Sequence, residues 1–297
     1  MYLYILSKLV SESLLSLYPI FVKYINIPLG MKLWSRFSAY LLVSFFFVNW
    51  GFILKNVVSL NGFLLGFVTL LHVYFSYRGF EILDSGVAYT LFYTYPLMIL
   101  LLSGNKLNYL ILFSLLGVYM LSKSHKKTEE SFSEKQDQDG LGKFLSSSKI
   151  FSKNDSKERF KYEGVLMVLL AALTEAFIYF IVRRLKTFNN WNHLFLSYLL
   201  GGIVLTLYYF KKIKKIEIRD TLTASMGINI LIGLIGYLLR FYATTRLNTK
   251  IYASLSYFGI IMSYIYGILI NKDKLTLRKV IGTLLIVIPN LWLVYSQ

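Results

Sequence analysis

Leu83-Asp84-Ser85-Gly86-Val87-Ala88-Tyr89-Thr90-Leu91 and Leu247-Asn248-Thr249-Lys250-Ile251-Tyr252-Ala253-Ser254-Leu255 are two versions of one segment, in which a leucine and two small polar residues lead into an apolar stretch. Each version opens the fourth apolar stretch in a run of five, and the charged stretch from Lys123 to Lys161 separates the two runs. The second stretches also correspond, with Phe37-Ser38-Ala39-Tyr40-Leu41-Leu42 set against Phe195-Leu196-Ser197-Tyr198-Leu199-Leu200. The opening stretches carry Ser11-Glu12-Ser13 and Thr174-Glu175-Ala176, so each half places one carboxylate about a dozen residues into its first apolar stretch. This reads as one membrane-embedded unit written twice. Repetition together with a mid-membrane acid points to transport.

Composition agrees. Of the 297 residues, 56% are hydrophobic, 17% aromatic and only 16% charged, more apolar than a soluble domain of this length. The formal charge of +17 sits on Lys and Arg in short connections, not on a face interleaved with aromatics. Anionic lipid headgroups are therefore the expected counterpart, and nucleic acid is not. With no Cys in the chain, disulfides, thiolate metal sites and Cys nucleophiles are excluded together. The three histidines, His72, His125 and His193, are scattered without metal-ligand spacing, and neither a Gly-rich phosphate loop nor a nucleophile elbow is present. The chain does not read as an enzyme, and no cofactor or metal is expected.

A helix needs about 20 mostly apolar residues to cross a bilayer. Ten segments are expected to do so: Tyr2 to Lys23, Leu33 to Ile53, Val57 to Tyr77, Leu83 to Ser103, Leu107 to Leu121, Glu163 to Val182, Asn192 to Phe210, Ala224 to Ala243, Ile251 to Ile270 and Leu277 to Tyr295. The first has no basic region before it and no small-residue cleavage site after it, so it reads as retained. The expected fold is an all-α membrane protein of ten transmembrane helices, with repeats at 1–122 and 162–297 joined by a charged flexible linker at 123–161. Five is odd, so the second repeat starts on the opposite membrane face and the repeats are inverted. Inverted halves suit alternating access, because exchanging their conformations opens a central site to the other side.

Further motifs are Trp34-Ser35-Arg36-Phe37 at the start of the second stretch, Tyr93-Thr94-Tyr95-Pro96 within Tyr74 to Gly104, and the C-terminal stretch Arg246 to Leu293. The last contains Gly267-Ile268-Leu269-Ile270-Asn271-Lys272-Asp273-Lys274-Leu275-Thr276 followed by Gly282. In their order and spacing these resemble the drug/metabolite transporter superfamily, and within it the EamA-type proteins made of two tandem five-helix domains. The family usually has a Glu before its basic residue where this chain has Lys272-Asp273-Lys274, so the likeness there is of pattern. The resemblance implies a ten-helix carrier of small organic solutes with a central cavity, and it does not imply a substrate. It also places Glu12 where small multidrug members of the superfamily have a functional Glu.

An ionisable group in hydrocarbon is costly unless it faces a wet cavity or a partner. Among the acids only Glu12 and Glu175 fall near span centres. Ten or eleven residues into a span is roughly 16 Å, close to the midplane of a core about 30 Å thick. An acid there suits proton coupling; the alternative is that it pairs with Arg36 or Lys8, or with Ser and Thr of neighbouring helices, and fixes packing. Arg36 offers a planar fork for a substrate carboxylate or phosphate, or else snorkels to the interface. His72 is a candidate proton-relay member or a packing residue, and Arg240, near the end of the eighth span, is in a similar way a candidate for a cavity role or a packing residue. Tyr18, Tyr89, Tyr93, Tyr95 and Tyr242 are amphipathic candidates for a cavity wall, against the default of interface belts and helix packing. Gly62 with Gly66, and Gly201 with Gly202, read as close-contact surfaces between helices of one chain.

Orientation has two opposed readings. The positive-inside rule, applied to the loops, puts both termini outside, whereas the family resemblance implies both in the cytosol. The expected function is a multi-pass transporter of a small organic metabolite or drug-like solute, with protons as a possible second substrate. A sugar-phosphate or nucleotide-sugar exchanger, favoured if Arg36, Arg240 and Lys250 face one cavity, and a non-transporting membrane scaffold are the alternatives. Oligomeric state and the membrane of residence do not follow from the sequence.

Overall fold

A computed structural model describes residues 2–103, 110–124, 155–185, 187, 189–209 and 216–295. Among the described residues every regular element is a helix. Seven helical stretches are long and apolar enough to cross a membrane: Tyr2–Tyr24, Leu60–Ile82, Ser85–Leu102, Tyr162–Arg184, Asn190–Tyr209, Arg219–Arg246 and Thr249–Ile270. The outer surface of the helix bundle carries Leu42, Phe46, Leu54, Phe63, Leu112, Leu207, Leu231 and Leu269, all exposed, while Lys8, Glu12, Arg36, His72, Glu175 and Arg240 are buried. Apolar outside and polar inside is the arrangement that hydrocarbon solvent selects.

The first stretch is α1 (Tyr2–Leu15) and α2 (Tyr18–Tyr24), broken at Ser16-Leu17. Pro19 causes the break, because it has no N–H to give the Leu15 carbonyl four residues back. The Tyr89 hydroxyl donates to that freed oxygen instead. The expected second stretch, Leu33 to Ile53, is two elements: α3 (Leu29–Ser44) and α4 (Trp50–Val57). Asn49 makes the division, since its side chain accepts from the Phe52 N–H at 3.0 Å as a helix cap and its own N–H donates to Asn192 Oδ1 at 2.8 Å. Then come α5 (Leu60–Ile82), α6 (Ser85–Phe92), α7 (Tyr95–Leu102) and α8 (Leu110–Ser124).

In the second half are α9 (Asp155–Arg184), α10 (Asn190–Tyr209), α11 (Ile216–Ile228), a π-helical turn at Asn229–Leu234 and α12 (Ile235–Arg246). Last come α13 (Thr249–Ser256), α14 (Phe258–Ile270) and α15 (Leu277–Tyr295). Helix α9 starts inside the stretch expected to be a linker; residues 125–154 of that stretch lie outside the described residues. The two sequence-matched segments, at α6 and α13, are both short helices interrupted at the same register, at Tyr93-Thr94 and at Tyr257. Pro96 accounts for the first break. The second has no proline. Asn248 caps α13 by accepting from the Ile251 N–H at 2.8 Å, whereas Asp84 at the matching position turns to Lys279, 2.7 Å away.

Contacts between halves come in pairs. Helix α5 packs along α9, and α12 packs along α1; α6 and α7 lie against α9, and α13 and α14 lie against α1. Helix α10 meets α5 while α11 meets α3, and α3 with α10, α8 with α15 and α6 with α14 are further pairs. Glycine permits the closest approaches: a Cβ at Gly201 would sit 2.2 Å from the Phe37 ring, and one at Gly202 would sit 2.1 Å from Leu41. Gly66 faces Leu200 in the same way, at 2.9 Å. These small-residue surfaces join helices within one chain.

Gly201→Val is expected to force α3 and α10 apart and cost about 1–3 kcal/mol, the usual penalty of overpacking. A Cβ at Gly227 would meet nothing within 4 Å. Gly227→Ala is therefore expected to hold or raise stability, by up to about 1 kcal/mol. Thermal unfolding in detergent, followed by tryptophan fluorescence, checks the pair.

Candidate functional site

Six helical stretches send polar side chains to one buried point. Glu12 and, one turn before it on the same face, Lys8 come from α1, and the Lys8 ammonium pairs with Glu12 Oε1. The Tyr93 hydroxyl, at the break between α6 and α7, donates to Glu12 Oε2. From α12, Arg240 Nη2 donates to both Glu12 oxygens, at 3.3 and 3.1 Å, and Nη1 donates to Glu175 Oε1 at 2.8 Å. Arg240 thus bridges the acids of the two halves. His72, on α5, brings Nε2 to 3.4 Å from Glu175 Oε2. Lys8 also donates to the Tyr95 hydroxyl at 3.3 Å and lies 3.6 Å from the centre of the Tyr252 ring, and Tyr95 donates to Ser256 Oγ at 2.7 Å.

At these distances charge matching decides what is tolerated. Two carboxylates face one ammonium and one guanidinium, so the cluster is neutral with His72 uncharged. Exposure of Glu12 is 0% and of Glu175 4%, which makes the match obligatory, since an unpaired charge at such depth costs far more than a paired one. The pairing is incomplete at two atoms: Glu175 Oε2 and Arg240 Nε are buried without a hydrogen bond. Both residues line a cavity of about 10 Å³, room for a single water, whose walls continue through Tyr179, Val182, Thr244 and Tyr252. Glu12 does not line it.

Of the residues singled out in the sequence, Glu12, Glu175, His72, Arg240 and Tyr95 therefore meet. Arg36 stands apart. Its Nε and Nη2 donate to the Tyr198 hydroxyl at 3.1 and 2.8 Å, and its guanidinium carbon lies 4.6 Å from the Tyr18 ring centre, 4.8 Å from Tyr237 and 5.3 Å from Tyr77. It is enclosed by aromatic faces and pairs with neither acid, so the pairing of Arg36 with an acid and its snorkelling to the interface both fail. Asn229, on the π turn, joins this cage through the Tyr18 hydroxyl at 2.9 Å. Tyr89 serves the α1–α2 break through its bond to Leu15, and Tyr242 packs edge-on against Tyr4 at 5.2 Å. Neither Arg36 nor Lys250 lines the cavity that Arg240 lines.

Tyr252 carried no sequence signal beyond its place in the repeated segment, and Ser256 follows directly after that segment. Lys8 had one, its i,i+4 spacing from Glu12. Outside the apolar stretches, the loop before α15 ties down the start of α6: Asp273 Oδ2 accepts from the Ser85 N–H at 3.2 Å, and Lys279 reaches the Lys274 carbonyl at 2.8 Å as well as Asp84. Burial pushes the Asp273 carboxyl above its ordinary range, against the opposing pull of Lys23.

Residues 162–295 match the model of the EamA-like transporter family. The glucose uptake protein GlcU of Bacillus subtilis (strain 168) is 34% identical over 140 residues, which cover 44% of this chain and 45% of that protein. The probable glucose uptake protein GlcU of Priestia megaterium is 30% identical over 149 residues, 47% of this chain and 48% of that protein. The matches thus span about half the length of these curated relatives. A solved crystal structure, 14% identical, has a TM-score of 0.59 with coverage of 98% of this chain and 97% of its own, which shows a common fold across both. The likeness first read from motif order is therefore borne out over the second half: residues 162–295 match the EamA-like transporter family, in an integral, multi-pass membrane protein.

Proposed function

We infer that the chain is a membrane carrier for a small, uncharged, polyhydroxylated solute, with a hexose as the first candidate. The observation that carries this reading is the neutral, self-matched cluster of Lys8, Glu12, Arg240 and Glu175. A charged substrate entering it would leave one of these groups uncompensated. A neutral polyol does not: its hydroxyls both donate to carboxylates and accept from the guanidinium, and its C–H faces suit the rings of Tyr93, Tyr95 and Tyr252. Glucose uptake, for which the partially matching relatives are named, supports the same choice of solute.

Movement is by alternating access of two inverted five-helix repeats, 1–122 and 162–297, joined by 123–161. The paired contacts between halves support this, as do the matching helix breaks at Tyr93-Thr94 and Tyr257 and the arrival of one acid from each half at a single arginine. In the described conformation the cluster is closed, since about 10 Å³ of space cannot hold a sugar. Opening to either side means parting ion pairs, and substrate hydroxyls replace the lost bonds. Protons are the proposed coupling ion, entering at the buried acids.

The test is counterflow in proteoliposomes, which needs no driving ion. Saturable exchange of labelled glucose, resisted by sugar phosphates and amino acids, is expected; folded protein that exchanges no neutral polyol overturns the reading and leaves a scaffold. Tyr93→Phe keeps the ring and removes one donor to a carboxylate, so counterflow is expected to fall about tenfold, for a hydrogen bond worth roughly 1.5 kcal/mol or more. Arg240→Gln strips the shared partner from two buried acids. It is expected to cost about 3–5 kcal/mol of stability, read as a lower unfolding temperature, and flux is lost with it.

A further inference from the structure

Resting on the carrier reading above, the geometry points to the His72–Glu175 pair, and not Glu12, as the site that takes up the coupled proton. Both ring nitrogens of His72 face acceptor oxygens. Nδ1 is 3.1 Å from the Ala171 carbonyl and 3.3 Å from Thr174 Oγ1, and Nε2 is 3.4 Å from Glu175 Oε2. The Thr174 hydroxyl lies 2.9 Å from each of the Leu170 and Ala171 carbonyls, so its proton has acceptors of its own. A neutral imidazole carries one N–H and one lone pair. With the single proton on Nδ1, donated to the Ala171 carbonyl at the shorter distance, Nε2 presents its lone pair to Glu175 Oε2, and a second proton satisfies that side. That proton lies between Nε2 and Oε2.

Oε2 is free to receive it. Among the donors around Glu175, Arg240 is committed to Oε1 at 2.8 Å, and Oε2 has no hydrogen bond. Glu12 is the opposite case, with Lys8, Arg240 and the Tyr93 hydroxyl all donating to its two oxygens, which leaves a proton nowhere to sit without displacing one of them. Access follows the same division, because the cavity reaches Glu175 and Arg240 and does not reach Glu12. The charged and titratable groups around the pair include Arg240 on α12, Lys8 and Glu12 on α1, Tyr252 on α13, Tyr95 on α7 and Tyr179 on α9, with Arg36 on α3 the next cation out. The cluster is neutral without the added proton and carries one positive charge with it. The step forms one N–H or O–H bond, breaks none of the chain's own, and is reversed when the proton leaves.

Two measurements test this. The first is ring-nitrogen NMR of selectively labelled histidine in detergent, followed over about pH 5 to 8, where an imidazole takes its second proton. His72→Asn identifies the signal among those of His125 and His193. The expected result is a doubly protonated His72 ring within that window, and its loss from the window in Glu175→Gln. A ring singly protonated throughout, or a second proton indifferent to Glu175→Gln, overturns the assignment, and the wild-type spectrum alone decides if the variant does not fold. The second is the ratio of glucose uptake driven by an inward proton gradient to glucose counterflow. This ratio is expected to fall to about one in His72→Asn and Glu175→Gln and to stay above one in Glu12→Gln, whatever the absolute rates; the reverse pattern overturns the assignment. Absence of counterflow from folded protein, with the NMR titration intact, sinks the carrier reading and leaves the proton site standing.

Discussion

A buried arginine between two buried acids sets the terms for everything around it. Arg240 holds Glu12 with one terminal nitrogen and Glu175 with the other, and each acid belongs to a different half of the chain. Remove it, and two carboxylates at a few per cent exposure have one ammonium between them. The halves can therefore close on each other only when α1, α9 and α12 present these groups at one depth. Helix register, the i,i+4 placement of Lys8 and the breaks that bring Tyr93 and Tyr95 inward all serve that meeting. Hydrophobic packing between these helices adds contact but little selectivity, because lipid is as apolar as leucine.

Two buried cations illustrate two ways of tolerating charge in such a medium. Arg240 is balanced by formal negative charge. Arg36 is balanced by π faces and a phenol oxygen, in a cage of Tyr18, Tyr40, Tyr77, Tyr198 and Tyr237 that has no carboxylate among its described neighbours. Ring quadrupoles attract a cation without accepting a proton, so this cage is electrostatically stiff. The Arg240 cluster is built instead from ionisable groups joined by hydrogen bonds and ion pairs. Polar residues of both kinds lie in the same bundle, and of the two cations Arg240 is the one paired with carboxylates.

Much of this was legible in the sequence, for physical reasons that can be named. Hydrocarbon solvent penalises unpaired charge so heavily that Glu12, Glu175, His72 and Arg240 stood out by type and depth alone, and all of them converge. The repeated segments located α6 and α13, because a polar residue before an apolar run marks a helix start in either half. What was hidden falls into two classes. Rotation was hidden, since a helix that is apolar nearly all round gives no inside face, and so Arg36 and Arg240 looked alike although one faces tyrosines and the other acids. Interruptions without a proline were hidden too: Asn49 divides the second stretch by reaching Asn192, 143 residues away, and the break at Tyr257 carries no local sequence mark.

The bond from Tyr89 to the Leu15 carbonyl has a mechanical meaning. In an unbroken helix each carbonyl is tied to its own strand of backbone, and bending at that point stretches a ladder of identical springs. At Pro19 the ladder lacks a rung, and the gap is spanned by a phenol arriving from another helix. The joint is thus latched from outside. Rotating one side chain about two single bonds releases it without unfolding a turn, so the upper and lower parts of the first helix become a hinge whose stiffness is set by where α6 stands.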